Sequence, residues 1–304
     1  MQFAQTLLRR LLTTGVAVGA ATVALAAAGS ASAEIQLQFQ YQDRDVARMV
    51  SLGGSCNRCE LSGRDLTGAA FTGASFTNAT LVGADLRGAE MVGSNFAGSD
   101  FSRADMAGAE MVGANFTASL FTNADLTGVS AVGATLVRVR MDRADLTGAE
   151  LNGANMNGAL LTGATFEGAE MNAATLANVS ARNANFSSAE IGMSNLSNGD
   201  FRSASFRAAT LNGARLTGGS FGGADFRDAE MNRTDIRGTD LSGARGLTQD
   251  QVGRACGDAN TRLPGNLTPR VCRGLAGARP APPAPPAPPA PPRVRNLVVA
   301  SGGN

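Results

Sequence analysis

The residues with the clearest capacity for chemistry are acids, and they stand in register. Asp65, Asp85, Asp105, Asp125, Asp145 and Asp225 are separated by 20 residues or multiples of 20, and so are Glu90, Glu110, Glu150, Glu170, Glu190 and Glu230. Carboxylates in such columns could bridge divalent cations, present an acidic surface to another protein, or form a solvated face. Catalysis is a poor fit. His and Lys are absent, which removes the commonest general base and metal ligand together with the Schiff-base amine. No nucleophile is paired with a base, and no glycine-rich loop is set to cradle a phosphate. The chain therefore reads as non-enzymatic, without a cofactor or a metal. Its 26 basic residues, all arginine, nearly cancel 25 acids, so nothing draws it as a whole to nucleic acid or to an anionic membrane.

The elements that hold the columns follow from a shorter period. Large apolar residues recur at every fifth position from Leu61 to Leu241, through Leu66, Phe71, Phe76 and so on, with a small residue, most often Ala, two positions before each. Neither a helix nor a strand sustains a five-residue period over such a length, so the chain must turn once per unit. The 20-residue spacing of the acids then closes four units into one coil. Successive coils pairing in parallel give an all-β helix of about nine coils, roughly 44 Å long at about 4.8 Å per coil. Ala131 and Ala181 are the only small residues at the large position, and each has Val two before it, Val129 and Val179, where Ala is usual. That pairing reads as volume compensation in a thin core. Met91, Met111, Met171 and Met231 share one column, a soft-donor arrangement that could suggest copper, but inward thioethers in a dry stack are read as core.

Units such as Ala84-Asp85-Leu86-Arg87-Gly88 resemble the pentapeptide repeat family, and the resemblance covers Cys59 to Gly243. It implies a right-handed quadrilateral β-helix with the large residue and the small residue two before it inside. The stretches from Gly246 to Gln251, from Ala255 to Asp258 and from Thr261 to Pro264 resemble the C-terminal cap of bacterial members. The family includes proteins that protect gyrase by imitating DNA, so an acidic DNA mimic is the alternative to a rod that binds or supports other proteins. The repeat region carries 20 acids against 13 arginines, a net charge of −7.

The expected organisation runs in five parts: a signal peptide over 1–33, an N-terminal strand and cap over 34–58, the β-helix over 59–243, a helical cap over 244–278 and a Pro-rich disordered tail over 279–304. Arg9 and Arg10, an uncharged apolar stretch and Ala31-Ser32-Ala33 follow one another as in an export signal, which places the mature chain in the periplasm or outside the cell. Residues 35–41 alternate as a strand, and 43–52 form a short helical lid over the open end. Thr248 with Gln251 signals a capping box for a second helix. Four cysteines in an exported chain suggest disulfides. Cys256 to Cys272 is the favoured bridge, and Cys56 with Cys59 is either bridged or reduced. The surface singled out for an unknown protein partner, a second copy included, is an outward strip of Val92, Val112 and Val132 beside Glu90 and Glu110.

Overall fold

Each unit is one tight turn and one rung. In the unit centred on Leu86, the Ala89 N–H donates to the Leu86 carbonyl (3.0 Å), and Gly88 between them has φ +63°. A positive φ at only the third of four residues makes this a type II turn. The other amides reach neighbouring coils: Leu86 donates to Asp105 (2.6 Å), Gly88 to Ala107 (3.0 Å) and Glu90 back to Ala69 (2.9 Å). Parallel bridges join residues 20 apart without interruption from Glu60↔Thr80 to Asp225↔Arg245. The chain turns after each bridged residue, so the ladders are stacks of isolated bridges rather than extended strands. A computed structural model provides these coordinates, and it describes residues 55–272.

Four bridges per 20 residues give the coil four sides. The bridge column of the first side includes Leu120, Arg140 and Leu160. The second carries Asp65 to Asp145 and Asp225, the third the Glu column, and the fourth Asn95, Asn115 and their successors. Since the chain visits them in order, the first and third sides face opposite ways.

The core is the stack of central residues, buried from Leu66 to Leu241. Phe rings lie nearly parallel between coils, as in Phe101 and Phe121 (centroids 5.0 Å apart) and in the series Phe166, Phe186, Phe206 and Phe226 (4.9, 5.1 and 5.2 Å). Val129 and Val179 are buried with Ala131 and Ala181, as the compensation argument requires. Val179→Ala is expected to cost about 2 kcal/mol, since two methyl groups leave a site where Ala181 cannot fill the space. The exposed-side control Val92→Ala should cost far less, and equal losses in denaturant unfolding would refute the argument.

Glycine supplies only part of the left-handed corners. Ala118, Ala173, Ala208 and Met193 also hold φ between 54° and 59° there, as do several Asn, Ser and Arg residues. For Ala or Met that backbone conformation costs about 1–2 kcal/mol, and the ladder on either side holds it in place.

At the N-terminal end the coil is already formed at Cys56, whose N–H donates to the Ser75 carbonyl (2.9 Å). The repeat thus begins at least three residues before Cys59, because Cys56 takes the central position of a further unit. The 35–41 strand and the 43–52 lid lie outside the described residues, as do 1–33 and the Pro-rich tail. At the other end Thr248 caps α1 (Gln249–Arg254) with both halves of the capping box present. The Gln251 side-chain amide also donates to the Phe226 and Ala229 carbonyls (2.9 Å each), and buried Val252 covers the core. Beyond α1, Cys256 pairs with Asp235 and Arg262 with Asp240, so the cap continues the ladder.

Candidate functional site

Four of the five amides in a unit have backbone acceptors; the fifth belongs to the residue after the central one. Where the bridge residue is Asp or Asn, its Oδ1 accepts that fifth amide two residues on, as Asp125 does from Thr127 (2.9 Å) and Asn115 from Thr117 (3.0 Å). Asp and Asn are suited to this local turn. The Asp column is therefore first a set of turn caps. Asp65, Asp105 and Asp145 cap their turns in the same way, with acceptor distances of 3.2, 3.2 and 3.0 Å.

Arginine at the following position adds a second function to the carboxylate. Arg87 grips Asp85 through Nε (2.8 Å) and Nη2 (2.5 Å), and Arg202 and Arg237 repeat this with Asp200 and Asp235. Asp225 is held by Arg227 in the same fork. The Arg87 donors beside Asp85 hold its carboxyl down at about 2, below the ordinary 3.8. This depressed pKa contributes stability above the unfolded value that is lost as pH falls through about 2. Arg202, helped by Arg182, holds Asp200 well below the usual carboxylate range. Arg87, Arg202, Arg227 and Arg237, which look scattered in sequence, are thus each placed to neutralise the Asp two residues before.

The third side is different. Glu is a methylene longer and reaches across to the previous coil: Glu170, Glu190 and Glu230 accept from the side chains of Asn152, Asn172 and Asn212 (3.1, 3.2 and 2.8 Å). In the N-terminal half the Asn positions are Val92, Val112 and Val132. Val112 and Val132 are each 37% exposed and Val92 is half-buried. Glu150 accepts from Ser130 (3.2 Å), and among the described residues no ion pair involves Glu90, Glu110, Glu150, Glu170, Glu190 or Glu230. The structure thus sets each of these valines two residues after a bridge position of the Glu column, at the turn that leaves the third side through glycine corners such as Gly113 and Gly133.

Two exposed leucines, Leu120 (36%) and Leu160 (37%), escaped the sequence reading. Both occupy bridge positions on the first side, where polar residues are usual, and that departure from pattern was the available signal. Cys256 is bonded to Cys272 and Cys56 to Cys59, with Cα atoms 5.4 and 5.6 Å apart. Among the described residues no group of three or more acidic or Cys residues is placed to hold a metal ion, and no helix is long and apolar enough to cross a membrane.

Comparison with known proteins agrees with this geometry. The crystal structure of HetL, a pentapeptide repeat protein involved in heterocyst differentiation regulation from the cyanobacterium Nostoc, is 26% identical. It covers 66% of this chain and 89% of its own, with a TM-score of 0.51. Trypsin-treated QnrB1, a plasmid-mediated fluoroquinolone resistance protein, is 22% identical over 68% of this chain and 93% of its own, with a TM-score of 0.40. Among curated proteins none matches. The family model described as pentapeptide repeats matches residues 55–91, 91–123, 119–158, 140–176, 194–223 and 204–243. Those matches fall on the same stretch in which every unit makes its turn and its bridge, and the chain belongs to the pentapeptide repeat family.

Proposed function

We propose that this chain is an exported, non-enzymatic rod that binds a protein through its third side. The observation that carries the reading is the strip of Val92, Val112 and Val132, exposed at Val112 and Val132 and half-buried at Val92, beside acids that no arginine of the described chain neutralises. Apolar surface with a charged rim marks interaction sites. Pentapeptide repeat proteins are generally non-catalytic, which supports a binding role. Export is supported by the order of charged, apolar and small residues before Glu34 and by two disulfides, which persist in oxidising compartments. The DNA-mimic alternative is weakened by the Asp85–Arg87 and Asp225–Arg227 pairs, which interrupt the acidic surface on the second side.

Changing Val92, Val112 and Val132 together to Thr keeps the branched shape and removes apolar surface. Capture of the partner from a periplasmic extract should then fall at least about tenfold, which corresponds to about 1.4 kcal/mol, while the circular dichroism spectrum and melting temperature stay put. Undiminished capture would sink the binding reading. The N-terminus of protein recovered from cells is expected at Glu34, and an intact Met1 would remove the export element alone.

A further inference from the structure

The first side carries a patch that complements the strip. Leu120 and Leu160 stand two coils apart in one column, with Arg140 between them. Arg138 lies over Gly158, its Cγ 3.5 Å from where a Cβ would stand, and Arg143 lies likewise over Gly163 at 3.6 Å, so the two stems bracket Leu160. The Arg143 Nε donates to Asn123 Oδ1 (2.8 Å), which fixes its direction. Among the described residues Arg103, Arg138 and Arg143 make no ion pair, and Arg140 reaches only Asp142 at 3.6 Å. Asp100, the other acid of this stretch, caps its own turn through Ser102. The patch is apolar, carries an excess of positive charge, and lies on the side opposite the acidic valine strip.

We infer that the partner of the third side is the first side of a second copy of this chain, so that rods associate side by side. This rests on the third side being a binding surface, and it adds who binds there. Charge decides the pairing. First side on first side sets Arg138 and Arg143 against their equivalents, and third side on third side sets Glu against Glu; only the mixed pairing joins opposite signs and covers both apolar sets. Spacing agrees as well: Leu120 to Leu160 and Val92 to Val132 each span 40 residues, or two coils, about 9.6 Å along the rod. Because the two surfaces are different and face opposite ways, the contact is heterologous and leaves a free surface at each end, so rods add one after another into a row.

Sedimentation velocity on the mature chain tests this. The wild type should form a concentration-dependent series of species at low salt that shrinks at high salt. Leu120→Thr with Leu160→Thr, and separately Val112→Thr with Val132→Thr, should each raise the concentration needed for association at least tenfold without lowering the melting temperature. Each double variant retains one good surface, so an equimolar mixture of the two should form a 1:1 heterodimer and stop there. A wild type that stays monomeric at low salt, association untouched by either double variant, or a mixture that stays monomeric would each overturn the inference. If partner capture still falls in the triple Val variant while the wild type is monomeric, the third side binds a different protein and only the self-association is wrong.

Discussion

Phe206→Ala is expected to lower stability by about 3–5 kcal/mol. Phe206 is fully buried and meets four other rings, Phe186 and Phe226 above and below it at 5.1 and 5.2 Å and Phe201 and Phe221 beside it at 5.7 and 5.8 Å. Nothing in so thin a core can collapse into the space, because the facing side chains are fixed by their own turns. The loss should also be local. The rings form two blocks, Phe71 to Phe121 and Phe166 to Phe226, and the coils between them are filled by Leu, Met, Val and Ala. In a repeat array each coil is stabilised by its neighbours alone. Hydrogen exchange should therefore accelerate in the C-terminal block while the amides around Phe96 keep their protection. Uniform acceleration across both blocks would show that the rod unfolds as a single unit.

Replacing Cys256 and Cys272 by Ser is expected to remove about 3 kcal/mol, the chain-entropy value for a loop of about 15 residues. The bridge spans 16 positions and fastens the segment whose Gly257 pairs with Val271 and donates to Arg270 (2.9 Å). Without it, α1 keeps its capping box, but the last rungs, Cys256 on Asp235 and Arg262 on Asp240, lose their covalent anchor. Limited proteolysis should cut within 257–271 before it cuts the coils. Cys56 and Cys59 close a loop of three positions, so their replacement should cost less. An unchanged cutting pattern in the Cys256 and Cys272 variant would mean that α1 and Val252 hold the cap unaided.

The periods made most of the architecture legible, because a five-residue unit and a 20-residue coil are properties of side-chain order alone. Thr248 and Gln251 announced the cap helix for the same reason: a capping box is local. What stayed hidden depends on distances between coils. The pairing of Arg87 with Asp85 needs the turn that brings residues two apart together on the outer face. The bracket around Leu160 needs Arg138 and Arg143 to lean onto the following coil. Left-handed Ala118, Ala173 and Ala208 were invisible because the five-residue pattern marks where a corner falls, while the choice of a residue other than glycine there carries no signal of its own. The early start at Cys56 was missed because a cysteine is a poor match to the large apolar residue of the pattern.

The bridge of each residue to the one 20 positions on makes the chain a counting device for direction. Loss or duplication of one complete coil shortens or lengthens the rod and leaves every downstream side chain pointing as before. Loss or duplication of a single unit preserves every turn and rung, yet it rotates all that follows by a quarter turn. The Glu residues beyond such a junction would then leave the side that bears Val112 and Val132. Gene slippage in whole coils can therefore tune the reach of this molecule while its surfaces keep their bearings, whereas slippage in single units redraws the map of what faces what and changes which core residues stack at the junction.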